Sequence, residues 1–133
     1  MKVNSGKLKA IQTLVIAALL LIPASALTAQ SGSTRRVRFE RGRTTSVLKG
    51  AVVRGTRDRY VLRASAGQTL TAHITSVEDN AVFDVYASRG HRLLEGAQET
   101  TDWSGELPRS GDYIIEVGGT RGNATYTLEV TVR

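Results

Sequence analysis

The stretch WSGELPRSGDYIIEV, Trp103 to Val117, decides the fold class. It opens on an apolar anchor, Trp103, and runs as a short strand to Leu107. Pro108 stops that strand, because its ring fixes φ and leaves no N–H for a ladder. Ser110, Gly111 and Asp112 supply turn chemistry: Gly tolerates positive φ, and Ser and Asp side chains bond nearby backbone. Past the turn, Tyr113, Ile115 and Val117 alternate with Ile114 and Glu116, the period of a strand with one buried face. The stretch therefore predicts strand, tight turn, strand: a hairpin with Ser110 to Tyr113 at its tip.

The same alternation recurs outward in both directions. Arg36 to Glu40 predicts a first strand with Val37 and Phe39 inward, and the β-branched run Thr44 to Val53 a second, with Gly50 as a bulge or a close approach. Arg59 to Ala64 sets Tyr60, Leu62 and Ala64 on one face. Gln68 to Val77 turns Leu70, Ala72 and Ile74 inward and leaves Thr69, Thr71, His73 and Thr75 on a solvated face. Ala81 to Ala87 buries Phe83 and Val85, a short segment follows at Leu93 and Leu94, and Tyr126 to Val132 alternates as a last strand. Eight or nine short strands, with turns about every ten residues, predict an all-β fold: an antiparallel β-sandwich, jelly-roll-like. After residue 29 no window carries a helical period.

The first residues belong to a different class. Lys2, Lys7 and Lys9 form a basic region, Leu14 to Ile22 is an uninterrupted apolar run, and Pro23 breaks it ahead of Ala24-Ser25-Ala26. That order predicts a Sec-type signal peptide over residues 1–29, cleaved after Ala26 or Ala29. Nine apolar residues fall well short of the roughly 20 that span a bilayer. No Cys follows the run, so a lipoprotein anchor is excluded on chemical grounds. The expectation is a periplasmic or secreted protein without a stable membrane anchor: a flexible tail over residues 30–35, then one domain over residues 36–133.

That domain has no Cys and must hold together by packing and sheet hydrogen bonding alone. Without the three leader lysines, 15 Lys and Arg stand against 12 Asp and Glu, a charge of +3 that is too small to argue for nucleic acid. The distribution is uneven: Arg35 to Arg63 holds ten basic residues against Glu40 and Asp58, and fourteen of the fifteen cations are Arg. Arg suits bidentate contact with carboxylates.

Catalysis finds little support. There is no Cys, no GxSxG elbow and no HExxH pair. His73 and His91 have no companions at ligand spacing, so no metal site and no cofactor is expected. The carboxylates Glu78-Asp79 and Glu95 with Glu99 sit in stretches with the composition of solvated loops. Binding is the remaining class, and two Gly-flanked loops carry arginines suited to it: Gly55-Thr56-Arg57 and Gly119 to Asn123, with Arg121.

The series Phe39-Glu40-Arg41-Gly42, Gly50, Tyr60, Gly67-Gln68, Leu107 to Tyr113, Thr120-Arg121 and Tyr126 resembles the periplasmic inhibitors of goose-type lysozyme, over about Arg36 to Val132. Its most specific piece is LPRSGDY followed by a hydrophobic strand and then Thr-Arg. The resemblance implies a non-enzymatic inhibitor whose partner is a goose-type lysozyme. Ser110, Gly111 and Tyr113 (with Asp112 between them) would match the family's turn and Arg121 its arginine, both reaching into the lysozyme's cleft. Asn123, Arg57 and Tyr60 complete the expected partner-binding set. Two departures are visible: the loop from Gly118 to Ala124 is shorter than the family's, and the loop before Tyr60 reads Gly55-Thr56-Arg57-Asp58 where the family has tyrosines. The same sandwich and turn also resemble the pre-peptidase C-terminal modules of secreted proteases, which leaves open a non-inhibitory module that binds envelope glycan or protein. The resemblance therefore carries the expectation that the Ser110 turn and Arg121 share one rim, where one cleft would meet both.

Overall fold

The computed structural model describes residues 32–133, which form one compact unit. The expected signal peptide, its cleavage points and the first residues of the expected tail lie outside the described residues. Nine strands follow one another: β1 (Thr34–Arg36), β2 (Thr45–Val52), β3 (Arg57–Ala64), β4 (Thr69–Ser76), β5 (Ala81–Ala87), β6 (Arg92–Leu93), β7 (Asp102–Glu106), β8 (Gly111–Gly119) and β9 (Ala124–Val132). A 3-10 turn at Arg89–His91 precedes β6. No helix among the described residues is long and apolar enough to cross a membrane.

Two sheets result, in the orders β1-β3-β8-β5-β6 and β2-β9-β4-β7. Every pairing is antiparallel except β1 on β3. Alternation along each strand delivers the inner faces. Tyr60, Leu62, Phe83, Val85, Tyr113, Ile115 and Val117 from the first sheet meet Leu70, Ala72, Ile74, Tyr126, Leu128 and Val130 from the second, all of them buried. Each large apolar side chain so buried contributes roughly 1.5–3 kcal/mol. The all-β sandwich expected from the alternation is the observed fold.

The deciding stretch is folded differently from a hairpin. β7 lies in the second sheet on β4, whereas β8 lies in the first sheet between β3 and β5. The connection crosses from sheet to sheet as an arch. Leu107, 1% exposed, plugs the corner. Its N–H donates to Gln68 O at 2.8 Å, and its carbonyl accepts from Gly67 N at 2.9 Å, so the end of β7 is tied to the turn after β3. Pro108 then prevents β7 from continuing.

The N-terminal strand also sits earlier than the alternation predicts. Thr34–Arg36 pairs in parallel with Arg59–Val61, while Val37 and Phe39 still face the core. The polar residues expected in a flexible tail are held by a buried chain of hydroxyls. Ser33 N and Oγ both reach Asp58 Oδ1 at 3.1 Å. Arg35 Nη2 donates to Tyr60 Oη at 2.7 Å, and its guanidinium lies 5.1 Å from the Tyr60 ring centroid. Tyr126 Oη donates to Asp58 Oδ2 at 2.7 Å. With that proton committed, the 2.5 Å contact between the two tyrosine oxygens takes its proton from Tyr60. Periodicity registers apolar faces and not hydroxyl chains, so it carries no sign that these polar residues are held.

Gly50 makes this chain possible. The β2–β9 register runs unbroken through Gly50 opposite Tyr126, so there is no bulge. A Cβ at Gly50 would meet Tyr126 Oη at 2.5 Å and Tyr60 Oη at 3.1 Å. Gly50 is the close approach that the sequence allowed.

Candidate functional site

β8 separates the expected site residues into two groups. Its first residue, Gly111, is opposite Ala64, and its far end has Gly118 opposite Arg57 and Gly119 opposite Ala81. Eight steps of extended chain set those ends about 26 Å apart. The Ser110 turn therefore stands at one end of the sandwich, and the loop carrying Arg121 at the other. The expectation of a single rim bearing both is overturned. The reason is topological: the turn enters β8 and the Arg loop leaves it.

At the first end the turn is occupied with holding the fold. Ser110 Oγ accepts from Ala66 N at 2.8 Å. Tyr113 is 1% exposed, and its hydroxyl donates to Arg109 O at 2.6 Å while accepting from Arg109 N at 3.3 Å. Gly111 has φ of 150°, a conformation that side chains with a Cβ rarely adopt. The Asp112 carbonyl accepts from Ser88 N at 2.9 Å, and its carboxylate lies 3.6 Å from Arg36. A buried tyrosine whose hydroxyl is bonded to its own turn has nothing to offer a partner. The same holds for Tyr60 at 1% exposure, bonded to Arg35 and Tyr126. Tyr60 and Tyr113 are corrected from partner-binding residues to core residues.

At the second end three connections meet: residues 53–56 after β2, 77–80 after β4 and 120–123 after β8. Asn80 organises them. Though 2% exposed, its Nδ2 donates to Arg121 O at 3.0 Å and Asn123 O at 2.9 Å, and its carbonyl accepts from Thr120 N at 2.8 Å. Ser76 Oγ in turn accepts from Asn80 N at 2.8 Å. Asn123 Oδ1 then accepts from Arg54 N at 2.8 Å, which ties the first of these connections to the third.

The result is a rim with three arginines on adjacent elements. Arg54 and Arg121 are exposed; Arg57, at the start of β3, lies across Gly118, where its guanidinium fills the space a Cβ would need. Arg121 Nη2 donates to Glu78 O at 3.0 Å. Glu78 and Asp79 stand at the same end, yet among the described residues none of the three arginines is in an ion pair. Guanidinium groups held this way, and not neutralised, suit docking against carboxylates on another surface. Sequence reasoning found Arg57, Arg121 and Asn123 but missed Arg54 and Asn80. An asparagine in a turn is too common to signal that it spans two loops.

Neither histidine lies on the arginine rim. His73 pairs with Asp102 on the outer face of the second sheet, and His91 packs on Tyr86, ring centroids 5.6 Å apart. Among the described residues no group of three or more His, Cys, Asp or Glu could hold a metal ion.

No protein-family model and no curated protein matches the chain. Solved structures do. A periplasmic inhibitor of g-type lysozyme from Aeromonas hydrophila, PliG, is 30% identical with a TM-score of 0.66, covering 78% of this chain and 100% of its own. PliG of Salmonella Typhimurium is 19% identical with a TM-score of 0.62, over 77% of this chain and 99% of its own. The pre-peptidase C-terminal domain of a Bacillus anthracis collagenase, 12% identical with a TM-score of 0.55, covers 80% of this chain and 100% of its own and shares the fold. With 30% identity across the whole of the Aeromonas protein, the chain belongs to the family of periplasmic inhibitors of g-type lysozyme.

Proposed function

We propose that this protein inhibits a g-type lysozyme in the periplasm by seating its three-loop end in the enzyme's active-site cleft. The observation that carries the reading is the rim itself: Arg54 and Arg121 on loops locked together by Asn80 and Asn123, beside Arg57 at the start of β3, with none of the three in an ion pair among the described residues. A glycan-cleaving cleft depends on carboxylates. A guanidinium that enters it pairs with those groups and excludes the glycan sterically, with no chemistry required of the inhibitor. The leader read in residues 1–29 delivers the protein to the compartment where the enzyme acts.

The test is a lysis assay with purified g-type lysozyme and this protein, wild type and Arg121→Ala. The wild type abolishes lysis at stoichiometric ratio. Losing one desolvated Arg–carboxylate contact weakens inhibition by about 2–5 kcal/mol. Unchanged inhibition by the variant removes Arg121 from the site; no inhibition by the wild type removes the reading.

A further inference from the structure

We propose that the opposite end of the sandwich holds a second, separate binding site, for the phosphate group of a phosphate monoester. A cleft of about 430 Å³ opens there, lined by Arg63, Arg89, Arg109, Ser110 and Asp112. The three arginines come from three elements: the end of β3, the 3-10 turn after β5, and the connection into β8. Each is exposed, and among the described residues none has an ion-pair partner. The carboxylate in the cleft, Asp112, has its Oδ2 directed to Arg36 at 3.6 Å. Three unpaired guanidinium groups thus line a cleft whose carboxylate is already directed to a fourth, Arg36.

Like charges gathered on one hollow repel, and a bound anion reverses the sign of that energy. Three guanidinium groups on three elements can each donate to one of the three oxygens of a tetrahedral phosphate, one more than a carboxylate offers. The Ser110 turn, whose own hydroxyl is engaged by Ala66, then serves as the rigid wall that holds Arg109 and Asp112 in place.

The experiment is calorimetric titration of the purified protein at low salt with glucose 6-phosphate, glucuronate and glucose. Glucose 6-phosphate is expected to bind saturably, one molecule per chain, with glucuronate at least about ten-fold weaker and glucose silent. Arg89→Gln with Arg109→Gln, both at exposed positions, weakens the phosphate ester about ten-fold or more, while Arg121→Gln at the other end leaves it unchanged. In the absence of ligand the double variant melts no lower than the wild type, because it removes repulsion and no contact. Absent saturation, equal binding by the double variant, equal binding of glucuronate, or binding of glucose would each overturn the site. No lysozyme enters the measurement, so its outcome is independent of the inhibitor reading.

Discussion

Tyr126 of β9 donates to Asp58 of β3 at 2.7 Å, so a hydrogen bond to a carboxylate joins the two sheets inside the core. Asp58 is 5% exposed and Tyr126 2%. Tyr60 completes the chain toward Arg35 and the N-terminal strand. In a domain without disulfides, this polar link does part of what a cross-bridge would do, and it sets where β1 docks.

Replacing Tyr126 with Phe keeps the ring and deletes the donor. Asp58 Oδ2 and the Tyr60 hydroxyl are then left in the core with one partner fewer. The expected loss is about 1–3 kcal/mol of unfolding free energy. Denaturant unfolding measures it, and hydrogen exchange at Thr34–Arg36 should rise in the same variant. Protection of β1 unchanged from wild type would break the connection between the hydroxyl chain and the strand.

Alkaline pH should act through the same hydroxyl. The Tyr126 pKa is raised well above the ordinary 10.0, by burial first and then by its bonds to Tyr60 and Asp58. Tyr86, whose hydroxyl donates to Glu116 Oε2 at 3.0 Å, is raised too, again by burial first. Above its ordinary pKa the unfolded tyrosine releases a proton that the folded one keeps. Stability is therefore fully present below pH 10.0 and falls as pH rises past it, for Tyr126 with a slope approaching about 1.4 kcal/mol per pH unit. Unfolding midpoints taken on both sides of that value test the sign, and Tyr126→Phe should flatten the slope.

Asn80→Ala removes the donor shared by Arg121 O and Asn123 O. The variant should lose about 1–3 kcal/mol of stability, because two hydrogen bonds from a buried side chain are removed. Inhibition of g-type lysozyme should weaken as well, since Arg121 is no longer presented from a fixed loop. A variant that is less stable yet inhibits as well per folded molecule would show that loop order is irrelevant to docking.

Tyr113→Phe separates the two ends. The hydroxyl bridges Arg109 N and O within the arch, so its loss should lower the melting temperature. One kcal/mol corresponds to about 4–8 °C in a domain near this size. Inhibition measured on the folded fraction should stay at the wild-type level, because the arch is about 26 Å from the arginine rim. Lost inhibition without lost stability would return the turn to the binding surface.

What the sequence determined by itself is local. Period-2 alternation at Tyr113, Ile115 and Val117, and likewise at Leu70, Ala72 and Ile74, set which side chains face inward, because side-chain direction in a strand depends on parity alone. Pro108 and Gly111 marked the break between β7 and β8 for equally local reasons, a missing N–H and a tolerated positive φ. Pairing is not local. Trp103 and Tyr113 lie ten residues apart in one continuous pattern, yet they belong to different sheets, because Leu107 bonds to the turn at Gly67 and Gln68, nearly forty residues earlier. That single crossing sends the Ser110 turn to one end and Arg121 to the other, and it gathers Arg63, Arg89 and Arg109 around a cleft that no spacing in the chain foretells. Short-range sterics write themselves into neighbouring residues, whereas the meeting of distant loops is settled only when the two apolar faces close on each other.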